Sequence, residues 1–259
     1  MMMRKNDTGP LILAHDVKAA FGLLTRLPLR VDTDLATQRG AGAAWAYPLV
    51  GLGVGCAASL IGVLVLALDL PASIAAALSL AVMIILTGAM HEDGLADSAD
   101  GLWGGWDRAK RLSIMKDSHI GAYGVIALIL SLLIHWSGLE ALMSRGYVWA
   151  PLVVMATLSR ANMVLLMHVL PNARSGGLAH SVGAPSRNTT FLAIGLAALA
   201  SFAFIGLSGF FALLSSLCAA ISCALIAHKK IGGQTGDILG ATQQVSQIAL
   251  VVTLVALAP

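Results

Sequence analysis

Four carboxylates are concentrated in the stretch HEDGLADSADG at residues 91–101, in a chain where only 11% of residues are charged. Asp93, Asp97 and Asp100 are spaced i, i+4, i+7, which places them on one face of a helix. Stacked like charges repel, and a bound Mg²⁺ ion that also meets substrate phosphates would offset that repulsion. The stretch therefore predicts a metal site of Glu92, Asp93, Asp97 and Asp100. A solvated acidic loop is the alternative.

Two glycines, Gly94 and Gly101, lie beside these acidic residues. Glycine lowers helix stability, so its presence here needs a reason. We expect the missing side chains to let a bulky substrate approach the acidic face.

The basic stretch WDRAKRLSIMKDSHIG follows at residues 106–121. An acidic metal site next to phosphate-binding cations is the arrangement that phosphoryl transfer requires. Arg108, Arg111 and Lys116 are therefore candidate phosphate ligands, although a positive membrane anchor has the same composition. Asp117 adds a fifth carboxylate to this part of the chain.

Further candidates lie in three other segments. Arg160, in LSRAN, falls near the middle of an apolar stretch, where a charge needs a partner or an aqueous cavity. We expect it to face a cytoplasm-open cavity and a phosphate; an ion pair with Asp93 or Asp237 is the alternative. Arg174 opens RSGGLAHSVG, which could contact a substrate or be a flexible connector. Lys229 and Asp237 belong to KKIGGQTGDILGA, whose glycines near a helix N-terminus suit phosphate binding.

The composition indicates what must position these residues. With 58% hydrophobic residues and a mean hydropathy of +0.84, the chain is typical of a multi-pass helical membrane protein. The net charge of +3 comes from basic residues in short loops, so nucleic-acid binding is not expected. Its three cysteines lie in apolar stretches without the spacing of a disulfide framework or a zinc site.

We predict an all-α integral membrane bundle forming one domain over residues 1–259. Seven stretches approach the roughly 20 apolar residues that a spanning helix needs. They are 45–68, 71–90, 121–143, 147–170, 189–207, 209–228 and 241–258. The fifth and sixth are close enough to form a helical hairpin. Residues 11–29 mix apolar and charged positions, which favours a helix at the membrane surface.

Loop charges predict the orientation of these spans. Basic residues are grouped before the first span and after the second, fourth and sixth, and Arg4 and Lys5 belong to the first group. This alternation predicts a cytoplasmic N-terminus, an outside C-terminus and a site facing the cytoplasm. The leading MMMRKNDTGP is followed by too short an apolar run for a signal peptide, so no cleavage is expected.

The stretch HEDGLADSADGLWGG, followed by RLSIMKDSHIGAYG, resembles the cobalamin (5′-phosphate) synthase family of membrane adenosylcobinamide-GDP ribazoletransferases. LLTRLPL at 23–29, AWAYPLVGLGVG at 44–55 and GGQTGDILGA at 232–241 extend the resemblance over most of the chain.

This resemblance implies an Mg²⁺-dependent enzyme of the cytoplasmic (inner) membrane. Its substrates would be adenosylcobinamide-GDP and α-ribazole or α-ribazole 5′-phosphate, and GMP would leave. Asp97, Asp100 and Asp117 are the implied catalytic residues, with Asp117 as a metal ligand or the general base. Membrane lipid is an expected partner, and a homo-oligomer is left open. The family often carries acidic residues where this chain reads TQQVSQ at 242–247, so a further carboxylate from the last span is not expected.

Two other classes compete with this interpretation. DSADG at 97–101 is similar to the opening of the CDP-alcohol phosphatidyltransferase signature, but the rest of that signature is missing, so phospholipid synthesis is the runner-up. A transporter would hold its polar residues near the membrane midplane, whereas this chain groups them on one side.

Overall fold

The computed structural model describes residues 10–258, and helices make up most of this part of the chain. The α-helices are α1 (Ala14–Leu24), α2 (Thr33–Arg39), α3 (Tyr47–Ala67), α4 (Ala72–Thr87), α5 (Met90–Gly104), α6 (Arg108–Ile114), α7 (Ala122–Ser144), α8 (Trp149–Val169), α9 (Leu178–Val182), α10 (Arg187–Ile205), α11 (Ser208–Ile231) and α12 (Gly236–Leu257). A 3₁₀ segment, Gly40–Ala46, leads into α3. Arg4, Lys5 and most of MMMRKNDTGP lie outside the described residues.

The predicted all-α membrane bundle is confirmed. In residues 10–258, six helical stretches are long and apolar enough to cross a membrane, and the bent pair α4–α5 can supply a seventh. The hairpin is also confirmed, because α10 ends at Ile205 and α11 begins at Ser208. Two predicted boundaries were wrong. The second span ends at Thr87, before the bend, and the last begins at Gly236, where the Thr235 side chain caps the helix.

Helix α8 occupies the centre of the bundle and contacts α3, α10, α11 and α12. Its residues from Pro151 to Val164 are all buried. Helix α3 approaches α8 at Gly55, where an added Cβ would come within 2.8 Å of the Leu152 carbonyl oxygen. By contrast, α7, α10 and α11 expose large apolar side chains such as Ile126 and Phe210, as expected for helices that face lipid.

A sharp bend separates α4 from the acidic helix α5. Gly88 has φ +64° and Ala89 has φ +56°, so two consecutive residues adopt the left-handed conformation. That conformation suits Gly88 but is uncommon for alanine. The helices consequently diverge by 86°, and α5 runs across the bundle.

The segment predicted as a surface helix over 11–29 is helical only from Ala14 to Leu24. Its Ala20 and Leu24 are buried against the bundle. Asp16 is also buried and accepts hydrogen bonds from Arg39 Nη2 at 2.6 Å and Trp45 Nε1 at 2.8 Å. Burial opposes ionisation of Asp16, but these bonds outweigh it and hold its pKa below the ordinary value. The carboxylate thereby fastens α1 to α2 and the 3₁₀ segment.

Candidate active site

The acidic stretch forms a helix, as its spacing predicts. Along α5, Asp93 is exposed, Asp97 is half-buried and Asp100 is buried. The charges that act most strongly on Asp97 are those of Asp93, Asp237 and Asp100, followed by that of Arg174. The fold therefore brings Asp237 and Arg174, both distant in sequence, to the acidic face.

A cavity of about 160 Å³ opens beside this face, between the start of α5, α8, α9 and the start of α12. Its polar and charged lining includes His91, Asp93, Arg174 and Asp237, while methionines and leucines form much of the remainder. His91 is only 1% exposed, and neither of its ring nitrogens has a hydrogen-bond partner. An apolar pocket with a few convergent polar groups is typical of a ligand site.

Asp237 is held in the first turn of α12 by two neighbours. Its Oδ2 accepts hydrogen bonds from Arg174 Nη2 at 3.2 Å and from Thr235 Oγ1 at 3.1 Å. Thr235 is also the N-cap of α12, because its hydroxyl accepts from the backbone N–H of Ile238. A carboxylate at a helix N-terminus is favoured by the helix dipole. The Arg174–Asp237 pair thus fixes one wall of the cavity.

Arg174 is positioned by a backbone connection between two loops. The N–H of Gln234 donates to the Pro171 carbonyl at 2.8 Å, and the N–H of Ala173 donates to the Gln234 carbonyl at 2.8 Å. The Gln234 side chain adds a bond from Nε2 to Asn172 Oδ1 at 2.6 Å. The loop after α8 is therefore fastened to the start of α12, next to the Arg174–Asp237 pair.

The glycines of the acidic helix admit neighbouring helices, which corrects the expectation that they admit substrate. A Cβ on Gly94 would lie 2.9 Å from the Asp237 carbonyl oxygen and 3.1 Å from the Cα of Gly240. A Cβ on Gly101 would lie 2.9 Å from the Arg111 carbonyl oxygen. Helices α12 and α6 therefore pack directly on the α5 backbone, and this brings Asp237 to Asp93 and Asp97.

The donor chemistry of the cavity fits a hard divalent cation. In the described residues, neither the Asp93 nor the Asp97 carboxyl group has a hydrogen-bond or ion-pair partner; Asp93 lines the cavity, and Asp97 does not. With Asp237 and Arg174 the group comprises three carboxyl groups and one guanidinium group. Within residues 10–258, no set of three metal-ligating side chains is already gathered around one point. Mg²⁺ takes only one or two carboxylates with waters and phosphate oxygens, so such a set is not required.

The predicted four-carboxylate metal set is divided by the fold. Glu92 points into the bundle, where its Oε1 accepts from Gln244 Nε2 at 2.8 Å. The Asp100 carboxylate accepts from the N–H groups of Gly121 at 2.7 Å and Gly124 at 2.9 Å, and so caps the start of α7. Neither residue lines the cavity. Asp100 was assigned to the metal-binding face because α5 was considered without the helices around it, and Glu92 was assigned as a further ligand.

The predicted phosphate ligands of the basic stretch also lie outside this cavity. Arg108 donates to the carbonyl oxygens of Ile231 and Ala173, and Arg111 donates to those of Gly105 and Lys230. These guanidinium groups satisfy carbonyl groups at helix ends and loops, as basic side chains near helix C-termini commonly do.

Lys116, Asp117 and Lys229 are exposed and do not line the cavity. Asp117 accepts hydrogen bonds from the side chain and backbone N–H of His119. These bonds lower the pKa of Asp117, and the same carboxylate raises the pKa of His119. The structure therefore places Asp117 in a surface pair, away from Asp93 and Asp97.

Arg160 lies in the bundle interior instead of the cavity, with only 1% of it exposed. Its Nη1 donates to the Ala156 carbonyl at 2.9 Å, and the carboxylate whose charge acts on it is Glu92. The Glu92 carboxylate accepts a hydrogen bond from Gln244, which in turn accepts one from the Ser131 hydroxyl. The alternative of a structural charge pair thus fits the placement of Arg160, with Glu92 as the partner in place of Asp93 or Asp237.

Sequence reasoning missed two parts of this arrangement. His91 was overlooked although it opens the acidic stretch, and its position beside three carboxylates was an available signal. The glutamines of TQQVSQ were read only as missing acids. In the structure, Gln244 links Glu92 to Ser131, and Gln243 donates to Ser159 at 3.3 Å.

Comparison with known proteins covers nearly the whole chain. The family model described as Cobalamin-5-phosphate synthase matches residues 16–255. A protein of Mesorhizobium japonicum named adenosylcobinamide-GDP ribazoletransferase is 44% identical over 256 residues, which cover 96% of both chains. Proteins with the same name are 41% identical in Bradyrhizobium diazoefficiens, covering 93% of both chains, and 38% identical in Brucella ovis, covering 94% of this chain and 97% of the relative. No solved structure matches significantly.

Proposed function

The chain belongs to the cobalamin-5-phosphate synthase family, and from this premise we propose that it is a membrane transferase acting on adenosylcobinamide-GDP. The acceptor is α-ribazole or its 5′-phosphate, and the products are adenosylcobalamin or its 5′-phosphate and GMP. This reaction belongs to the last stage of cobalamin biosynthesis. The relatives' shared name supports the transferase chemistry and both substrate classes.

The observation that best supports this function is the acidic cavity. Asp93 lines it together with the Arg174–Asp237 pair, and Asp97, one helical turn farther along α5, is close enough for the charges of Asp93 and Asp237 to act on it. A diphosphate brings negative charge, which free carboxylates alone would repel. The cavity therefore suits a diphosphate that arrives with a divalent cation.

We assign Asp93 and Asp237 to holding Mg²⁺. When bound, the ion would withdraw charge from the diphosphate oxygens and so favour departure of GMP. Arg174 is available to bind a phosphate oxygen, because its Nη1 is buried and has no hydrogen-bond partner. His91 lines the same cavity.

The transfer requires a ribose hydroxyl oxygen of the acceptor to form a bond with the cobinamide-linked phosphorus. The bond from that phosphorus to the oxygen leaving with GMP breaks, and the hydroxyl proton passes to a base. Asp97 is our preferred base, because it is half-buried beside the cavity. Asp117 stays a sequence-based candidate, and Asp100 is assigned to capping α7.

The basic loops support a site on the cytoplasmic side of the inner membrane. The apolar outer faces of α7, α10 and α11 support contact with membrane lipid. A homo-oligomer stays a sequence-based prediction.

The direct test uses the purified protein in liposomes with Mg²⁺, adenosylcobinamide-GDP and α-ribazole. We expect formation of the corrinoid product and an equal amount of GMP, and loss of both when EDTA removes the metal. Absence of turnover, together with transfer from a CDP-activated lipid, would replace this proposal with the phospholipid-synthesis alternative. Turnover that persists in EDTA would reject the Mg²⁺ assignment alone.

A further inference from the structure

A second cavity, of about 510 Å³, adjoins the acidic one. It lies between α1, α2, the 3₁₀ segment and α9. The two cavities share the lining residues Leu23, Tyr47, Leu178 and Val182. A volume of this order accommodates a small molecule. Anything bound in the second cavity therefore lies directly next to the proposed site of phosphoryl transfer.

The second cavity is uncharged and mainly apolar. None of its lining residues is Asp, Glu, Lys, Arg or His. Two of its hydroxyl groups are engaged locally, since Thr37 Oγ1 donates to the Thr33 carbonyl at 2.7 Å and Ser181 Oγ donates to the Leu178 carbonyl at 2.8 Å. Tyr47 lies on the boundary with the acidic cavity. The wall therefore offers mainly apolar contact area and no charged partner.

Small residues line much of this cavity and leave its space open. They are Ala19, Ala20, Gly22, Ala36, Gly40 and Ala43. Leu27 and Leu29 complete part of the wall and are 39% and 43% exposed. A flat apolar ring would cover these leucines, whereas a charged group would lose its contact with water without gaining a charged partner.

We propose that this second cavity binds the dimethylbenzimidazole ring of α-ribazole, and this inference rests on the proposed function. Of the substrate parts, guanosine diphosphate carries charge and hydrogen-bonding edges, and the corrin ring carries amide side chains. The dimethylbenzimidazole ring is flat, uncharged and bears two methyl groups, which matches the apolar wall. Its ribose would then lie near Tyr47, with the hydroxyl groups toward the acidic cavity.

The test measures α-ribazole binding to the full chain in lipid nanodiscs, separately from turnover. Ala36→Phe places a ring in the cavity. Because the site is then overpacked, we expect α-ribazole to bind at least about tenfold more weakly. The Michaelis constant for adenosylcobinamide-GDP should stay unchanged. The matched control is Gln38→Phe, which adds the same ring to α2 outside the cavity lining. It should bind α-ribazole as tightly as the unsubstituted protein does.

Two further measurements separate ring recognition from misfolding. The riboside of unmethylated benzimidazole is smaller, so Ala36→Phe should weaken its binding less than that of α-ribazole. Leu29→Ala removes part of the apolar wall without adding bulk and should also weaken α-ribazole binding.

The inference is overturned if Ala36→Phe binds α-ribazole normally, or if both ribosides lose binding equally. It is also overturned if Ala36→Phe changes the Michaelis constant for adenosylcobinamide-GDP instead of the binding of α-ribazole. The same holds if a co-purified lipid fills the cavity and α-ribazole does not displace it. Failure of the unsubstituted protein to make corrinoid product would reject the proposed function itself. Normal turnover with unaffected α-ribazole binding in Ala36→Phe would reject this inference alone.

Discussion

Removing the buried charge of Arg160 should destabilise the bundle. Arg160 is 1% exposed, and the opposing charge that acts on it is that of Glu92, whose Oε2 has no hydrogen-bond partner within residues 10–258. Arg160→Met would leave that carboxylate in the interior without a compensating charge. Breaking a buried charge pair from one side costs about 3 kcal/mol or more. For a chain of this size, that lowers the melting temperature by about 6–12 °C.

The assay is thermal unfolding in one detergent, followed by a double-mutant cycle. Glu92→Gln in the Arg160→Met background removes the second charge and keeps an amide that can contact Gln244. We expect the double variant to recover most of the lost stability. Arg187→Met, at an exposed arginine on α10, is the matched control and should shift the midpoint by less than about 4 °C. Additive losses in the double variant would refute the coupling of Arg160 to Glu92.

Three other predictions concern individual aspartates. Asp97→Asn should reduce turnover about a hundredfold or more with unchanged melting temperature. The control is Asp69→Asn, in the left-handed loop after α3, which should leave both turnover and melting temperature unchanged. Normal turnover in Asp97→Asn would contradict the site assignment. Asp100→Ala should cost about 1–2 kcal/mol in stability because α7 loses its cap, and unaltered unfolding would rule out that role. The lowered pKa of Asp16 stabilises the folded state above the ordinary Asp value of 3.8, and this contribution disappears as pH falls through the lowered pKa. Asp16→Asn should flatten that pH dependence, measured as melting temperature against pH, and an unchanged slope would contradict it.

The helical nature of the acidic stretch could be predicted because it depends on local spacing. The i, i+4, i+7 pattern of Asp93, Asp97 and Asp100 correctly indicated a helix. The pattern did not reveal that Asp100 faces the N-terminus of α7, since that contact joins residues more than twenty positions apart. Periodicity places side chains on a helix, and the neighbouring helices then decide what each one contacts.

The start of α12 shows a different limit of sequence reasoning. Hydropathy placed the beginning of the last span at residue 241, where the apolar run begins. The helix begins at Gly236 because the Thr235 hydroxyl caps it. These extra residues bring Asp237 into a helical first turn. A capping signal was present in the sequence, but a hydropathy window gives little weight to a threonine followed by glycine and aspartate.

Arg108 and Arg111 could not be assigned from their charge alone. A cation in a loop between membrane spans can bind phosphate, anchor the membrane boundary or satisfy backbone carbonyl groups. Their partners include the Ile231 and Lys230 carbonyl oxygens at the end of α11. Only the approach of α11 to α6 reveals this third role.

The bend at Gly88 and Ala89 has a consequence for depth in the bilayer. If α4 stands close to the membrane normal, an 86° turn directs α5 along the membrane plane. One turn of helix from Asp93 to Asp97 then displaces a carboxylate by about 6 Å sideways and hardly at all in depth. Both acids consequently lie at one depth, and a diphosphate lying along the membrane surface can pass from the exposed Asp93 to the half-buried Asp97 without entering the hydrocarbon core.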